Sequence, residues 1–130
     1  MGAQSSAIFI IDDDASVLRA LGRVMKSAGL HFESFSSVED FLSGAALDAT
    51  GCVIADMTLR GMSGLELKKV LNAAHSELPV IFLTADDTSE MRAAASEAGA
   101  TGYFRKPVDT QALLDAIQWT MASSPPVRAA

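Results

Sequence analysis

Residues 8–17, IFIIDDDASV, set four apolar residues directly against three carboxylates, Asp12, Asp13 and Asp14. A short apolar run rich in β-branched residues and bounded by polar ones reads as a buried strand, here residues 7–11. Neighbouring carboxylates raise one another's cost of ionisation, so three of them at the mouth of a buried strand need a physical reason. Asp14 has an ordinary one, because aspartate caps helices and a helical pattern follows. For Asp12 and Asp13 the same plain reading, capping plus solvated charge, stands against a functional one.

Outward from this stretch the chain alternates between two periods. Val17, Leu18, Leu21, Val24, Met25 and Ala28 recur at helical spacing until Gly29 stops the helix. Residues 31–35 form a weaker strand. Ser37 then resembles an N-cap for a helix carrying Val38, Phe41 and Leu42, with Asp40 three residues on. Residues 52–55 are an apolar run ending in Asp56, and Leu65, Leu67, Val70 and Leu71 predict a helix closed before Pro79. Residues 80–83 predict a fourth strand ending in Thr84, and residues 91–98 an alanine-rich helix stopped by Gly99. Residues 101–105 predict a fifth strand running into Lys106-Pro107, and residues 108–121 a last helix with Leu113, Leu114, Ile117 and Met121 on one face. Strand followed by helix, five times over, predicts a parallel sheet between helical layers. In such sheets the functional crevice lies beyond the carboxyl ends of the strands.

The bulk properties agree with one domain. A chain of 130 residues, 49% of them hydrophobic, can fill a core without a disulfide or a metal. No apolar run approaches the roughly 20 residues that span a bilayer, and MGAQSSA lacks the pattern of a secretory signal. Gly2 with Ser6 fits a myristoylation pattern too short to carry weight. The lone Cys52 lies in an apolar run, reads as an inert core thiol, and suits a reducing cytoplasm. A net charge of −6 disfavours direct nucleic-acid binding by this domain and suits a positively charged ligand or partner. Residues 1–6 read as a tail, 7–122 as the domain, and 123–130, with two prolines, as a linker or frayed end.

The strand ends gather Asp12 and Asp13, Asp56, Thr84 and Lys106 at one sheet edge. A bound dication would relieve the repulsion among the carboxylates. Hard oxygen ligands without thiolate or imidazole favour Mg2+, or Mn2+ in its place, over zinc or copper. Magnesium keeps waters and phosphate oxygens in its shell, which points to phosphoryl transfer. Asp56, before a glycine-bearing loop, is the candidate nucleophile for an acyl phosphate. Lys106 would neutralise charge on the transferring group and Thr84 would donate a hydrogen bond to it.

At these residues the chain resembles the receiver domains of two-component response regulators, the CheY-like superfamily. The matching pieces are IIDDD, VIAD, GMSGLEL, FLTA and GYFRKP, five in the right order across residues 8–121. The resemblance implies a flavodoxin-like, doubly wound (βα)5 three-layer sandwich with strand order 2-1-3-4-5. It implies that Asp56 accepts a phosphoryl group from a sensor histidine kinase or a histidine phosphotransfer protein. Asp13 and Asp56 would bind Mg2+ directly, the Thr58 backbone carbonyl would be a third ligand, and Asp12 would hold a metal-bound water. Thr84 and Tyr103 would form a switch pair that repacks the face of the fourth helix, fifth strand and fifth helix, where a partner or a second copy docks. Lys106-Pro107 would be a cis bond, an isomer nearly confined to X-Pro. The chain departs from the family where Leu59-Arg60 replaces a common Met-Pro, which is expected to loosen the loop and adds a charge beside the site.

Plainer readings stand beside these. Tyr103 also reads as a half-buried edge aromatic, and His31 and His75 as surface residues outside any ligand cluster. GMSG lacks the glycine spacing of a serine-hydrolase elbow, and no G-x-x-x-x-G-K-[ST] run occurs. Two rival functions remain at this stage: a receiver fold that binds partners without phosphorylation, and a small flavodoxin-like enzyme or cofactor carrier.

Overall fold

Strands β1 (Ala7–Ile11), β2 (Phe32–Phe35), β3 (Gly51–Asp56), β4 (Val80–Thr84) and β5 (Gly102–Arg105) alternate with helices α1 (Ala15–Ser27), α2 (Val38–Gly44), α3 (Gly64–Ala73), α4 (Ser89–Glu97) and α5 (Thr110–Ser123) in the computed structural model, which describes residues 7–44 and 50–123. All four strand pairings are parallel, in the order β2-β1-β3-β4-β5. This is the flavodoxin-like α/β fold expected from the sequence. The tail 1–6, with the Gly2/Ser6 pattern, and residues 124–130 of the expected linker lie outside the described residues. Among the described residues no helix is long and apolar enough to cross a membrane.

The continuous apolar runs are explained by burial on both faces. Every residue of β1 and β4 is buried, and alternate side chains feed two separate cores. Phe9, Val53, Ala55 and Phe82 pack with Val38 and Phe41 of α2 and with Leu67 and Leu71 of α3. Ile8, Ile10, Ile54 and Ile81 pack on the other face with Leu21 and Met25 of α1 and Leu113 and Ile117 of α5. The edge strand β2 is only partly covered, which is why its sequence reads weakly. Cys52 is fully buried, and burial pushes its thiol up to about 12, so it is an inert core group.

Helix starts moved most between sequence and structure, because capping chemistry and not apolar spacing sets them. α4 begins at Ser89, since Thr88 accepts the Met91 N–H at 3.1 Å. α3 begins at Gly64, because Ser63 and Glu66 close a reciprocal capping box. α5 begins at Thr110, with Asp109 accepting the Gln111 N–H at 3.0 Å, so Val108 lies outside it. α5 also takes in Ser123, one residue into the expected linker. Ser37 caps α2 by accepting the Asp40 N–H at 3.0 Å, and Gly29 takes a left-handed φ of 73° after α1.

Gly64 sets how closely α3 approaches the end of β3. A Cβ at this position would collide with the carbonyl oxygen of Asp56. Gly64→Ala is therefore expected to destabilise the fold by about 1–3 kcal/mol through overpacking. Gly44→Ala, where a Cβ would meet only the Phe35 ring at 3.5 Å, should change stability by under about 0.5 kcal/mol. Urea unfolding of the two variants checks the difference.

Candidate functional site

The parallel sheet delivers the ends of β1, β3, β4 and β5 to one edge. Asp12 follows β1 directly, and its backbone N–H is used by the Phe35 carbonyl at 3.1 Å, which fixes the turn out of the sheet. Asp56 is the last residue of β3, and Met57 continues the pairing by donating to the Leu83 carbonyl at 2.9 Å. Lys106 follows β5, with its N–H donated to the Thr84 carbonyl at 2.7 Å and a cis bond to Pro107.

The Lys106 ammonium bridges two strands. Its Nζ donates to Asp12 Oδ2 at 2.8 Å and to Asp56 Oδ2 at 2.7 Å. Asp12 is 1% exposed and Asp56 6%. Burial raises the Asp12 pKa, and the Lys106 bond only partly opposes it. Burial would lower the Lys106 pKa, but its bonds to Asp12 and Asp56 outweigh that and hold it above the usual lysine value.

The other carboxylate oxygens are also engaged. Asp12 Oδ1 accepts the Asp14 N–H at 2.9 Å. Asp56 Oδ1 accepts the Thr58 N–H at 2.9 Å and its hydroxyl at 3.2 Å. Asp14 caps α1, accepting the Ser16 N–H at 2.9 Å and hydroxyl at 2.7 Å, and these bonds hold its pKa down. Asp13 completes the cluster: one oxygen from each of Asp12, Asp13 and Asp56 lies within 4.8 Å of the others. Its Oδ2 accepts the Arg60 N–H at 3.3 Å, with the exposed Arg60 guanidinium 4.0 Å away.

Three carboxylates facing one ammonium leave a formal charge of about −2, which matches one divalent cation. The donors are hard oxygens, so the cluster fits Mg2+ or Mn2+.

Thr84 and Tyr103 stand on the same sheet face, as the pairings Phe82↔Tyr103 and Thr84↔Arg105 show. Thr84 is fully buried and accepts the Asp86 N–H at 3.0 Å through Oγ1, which leaves its own hydroxyl proton available. Tyr103 is half-buried against the α2/α3 core, and its hydroxyl goes to Asp87 Oδ1 at 2.9 Å.

Sequence reasoning missed three residues. Asp87 and Arg92 pair around the Tyr103 hydroxyl. Glu39 of α2 accepts the Met62 N–H at 3.0 Å and so ties down the loop after Asp56. Leu59 anchors the same loop in the core, so the loop lacks a proline but keeps several tethers. Asp87 lies before the α4 cap and five residues from Arg92, outside the i,i+3 and i,i+4 spacings at which helical side chains meet, so no sequence signal pointed to these contacts.

Residues 8–118 match the family model described as the response regulator receiver domain. The response regulator protein TodT of Pseudomonas putida is 37% identical over 128 residues, which is 98% of this chain and 56% of TodT. The chain thus spans about half the length of the curated relatives it matches. Among solved structures, FixJ-N superposes with a TM-score of 0.86 at 26% identity, covering 96% of this chain and 100% of that one. The BeF3-activated DrrB receiver domain does so with a TM-score of 0.81 at 27% identity, covering 90% and 97%.

Removing the bridging ammonium should expose its electrostatic role. Lys106→Met leaves Asp12 and Asp56 buried without a countercharge and is expected to cost about 3 kcal/mol in metal-free buffer. The double variant Lys106→Met/Asp12→Asn should recover part of that loss. Denaturant unfolding at neutral pH measures both.

Proposed function

Because the chain belongs to the response regulator receiver domain family, we propose that it is a phosphorylation switch in which Asp56 accepts a phosphoryl group from a phosphohistidine. The donor is a sensor histidine kinase or a histidine phosphotransfer protein in the cytoplasm. The observation that carries this reading is the Lys106 ammonium at 2.7 Å from Asp56 inside a cluster of three carboxylates.

In the transfer an Asp56 oxygen attacks phosphorus. The P–O bond forms as the P–N bond breaks. The departing imidazole keeps the electron pair and carries a proton on its other nitrogen. The Thr58 N–H and hydroxyl on Oδ1, with Lys106 on Oδ2, hold the Asp56 carboxylate in one orientation beforehand. As charge moves outward onto the phosphoryl oxygens, Lys106 can follow it while keeping its bond to Asp12.

Asp13, Asp56 and the Thr58 carbonyl would hold Mg2+ directly, with Asp12 holding one of its waters. The bound cation supplies neutralisation of the phosphoryl oxygens. An apolar recess beside Lys106, lined by Val17, Ala20, Val24, Pro107 and Val108, suits a protein donor. The phosphoryl group adds about 1.5–2 negative charges. The buried Thr84 hydroxyl turns to it, Tyr103 moves in response, and the α4-β5-α5 face repacks for an output region, a partner or a second copy. The domain acts as a signalling switch and turns over only its own phosphoryl group.

Incubation with Mg2+ and acetyl phosphate should add one PO3 group to the intact mass, and Asp56→Asn should abolish the gain. No gain in the unaltered protein would count against the nucleophile. Asp13→Ala should weaken Mg2+ binding by about tenfold or more, measured by titration calorimetry. Unchanged Mg2+ affinity in that variant would remove Asp13 from the ligand set.

A further inference from the structure

Tyr103 is the single tyrosine of the chain, and its hydroxyl is committed to one carboxylate. Asp87 Oδ1 accepts the Tyr103 hydroxyl at 2.9 Å and Arg92 Nε at 3.0 Å, while Asp87 Oδ2 accepts Arg92 Nη2 at 2.9 Å. The Arg92 fork and the phenol together hold the Asp87 carboxyl below its ordinary pKa. A two-pronged guanidinium–carboxylate pair is among the strongest and most directional ion pairs. Its position matters more than its strength. Asp87 lies in the β4–α4 loop, Arg92 on α4 and Tyr103 on β5, so one carboxylate ties three elements together.

The adjacent residue connects this clamp to the acidic crevice. The Asp86 N–H donates to Thr84 Oγ1 at 3.0 Å. The Thr84 hydroxyl's present partner and the group that holds Tyr103 therefore sit on adjacent residues. A Thr84 hydroxyl that rotates away gives up that N–H and frees the loop that carries Asp87.

We infer that Asp87, braced by Arg92, is a positioning residue that keeps Tyr103 in its resting place until Thr84 releases the Asp86 N–H. The inference rests on the phosphorylation-switch reading and adds to it the group that sets the resting bias. A hydrogen bond to a charged acceptor of this class shifts a two-state population by roughly tenfold or more. Arg92 matters because an unbraced Asp87 can turn to water and leave Tyr103 free.

The test uses the whole chain labelled with 3-fluorotyrosine, which gives one 19F resonance from Tyr103. Mg2+ with beryllofluoride should move that resonance in the unaltered protein. In Asp87→Ala the resonance should stand toward the beryllofluoride position before any addition, and half-response should need roughly tenfold less beryllofluoride. Arg92→Gln, which spares the loop if Asp87→Ala folds poorly, should give an intermediate shift. Asp115→Ala removes an equal charge on α5 and should leave the resonance in place. An unaltered protein whose resonance ignores beryllofluoride overturns the switch reading and the clamp with it. A responsive protein whose Asp87→Ala and Arg92→Gln variants match it before addition, or move away from the activated position, overturns the clamp alone.

Discussion

The Lys106 ammonium between Asp12 and Asp56 is the interaction on which the rest of the site depends. Each carboxylate is almost wholly buried at the end of a different strand. Without a shared cation they would repel at short range in a medium far less polar than water. Lys106 removes part of that cost and leaves the rest, since Asp13 adds a third negative group that the ammonium does not touch. The crevice is therefore stable enough to fold and still under-neutralised. An under-neutralised cluster of hard oxygen donors is one that could hold a metal ion, and the family assignment is compatible with that.

The same strand ends connect the crevice to the opposite side of the sheet edge. Thr84 closes β4 one register step from the Asp56 strand, and Tyr103 shares its face. Their hydroxyls do not meet. They are joined by two consecutive loop residues, Asp86 through its N–H and Asp87 through its carboxylate. A close-packed core is not continuously deformable, whereas this short loop is held by a few directional bonds. The loop after Asp56 is tied differently. Leu59 anchors it in the core, Glu39 reaches it from α2, Asp13 accepts from Arg60, and Gly64 lets α3 sit against the Asp56 carbonyl. The loop after Asp56 is thus tethered from the core, from α2 and from the β1 end.

Most of the fold was legible because burial on both faces writes itself into sequence. β1, β3 and β4 are apolar runs with no alternation; β3 and β4 end in Asp56 and Thr84, and β1 runs directly into Asp12. Helix starts were less legible because they depend on single caps. Thr88, Ser63 and Asp109 each moved a boundary that apolar spacing had placed elsewhere. Five residues of the candidate site, Asp12, Asp13, Asp56, Thr84 and Lys106, could be nominated from sequence for a topological reason: parallel strands put all their carboxyl ends on one edge, so the residues at the end of each run are candidates by position alone.

The sequence by itself determined the strand–helix alternation, the polar residue at each strand end and the excess of negative charge among them, because period and residue type are local properties. Only the tertiary structure decided that one ammonium reaches two carboxylates 94 and 50 positions away, that Glu39 braces a loop 23 residues on, and that Tyr103 ends on Asp87. Those contacts depend on side-chain length and direction across strands and helices that meet only after folding. No spacing along a chain encodes a distance through the core.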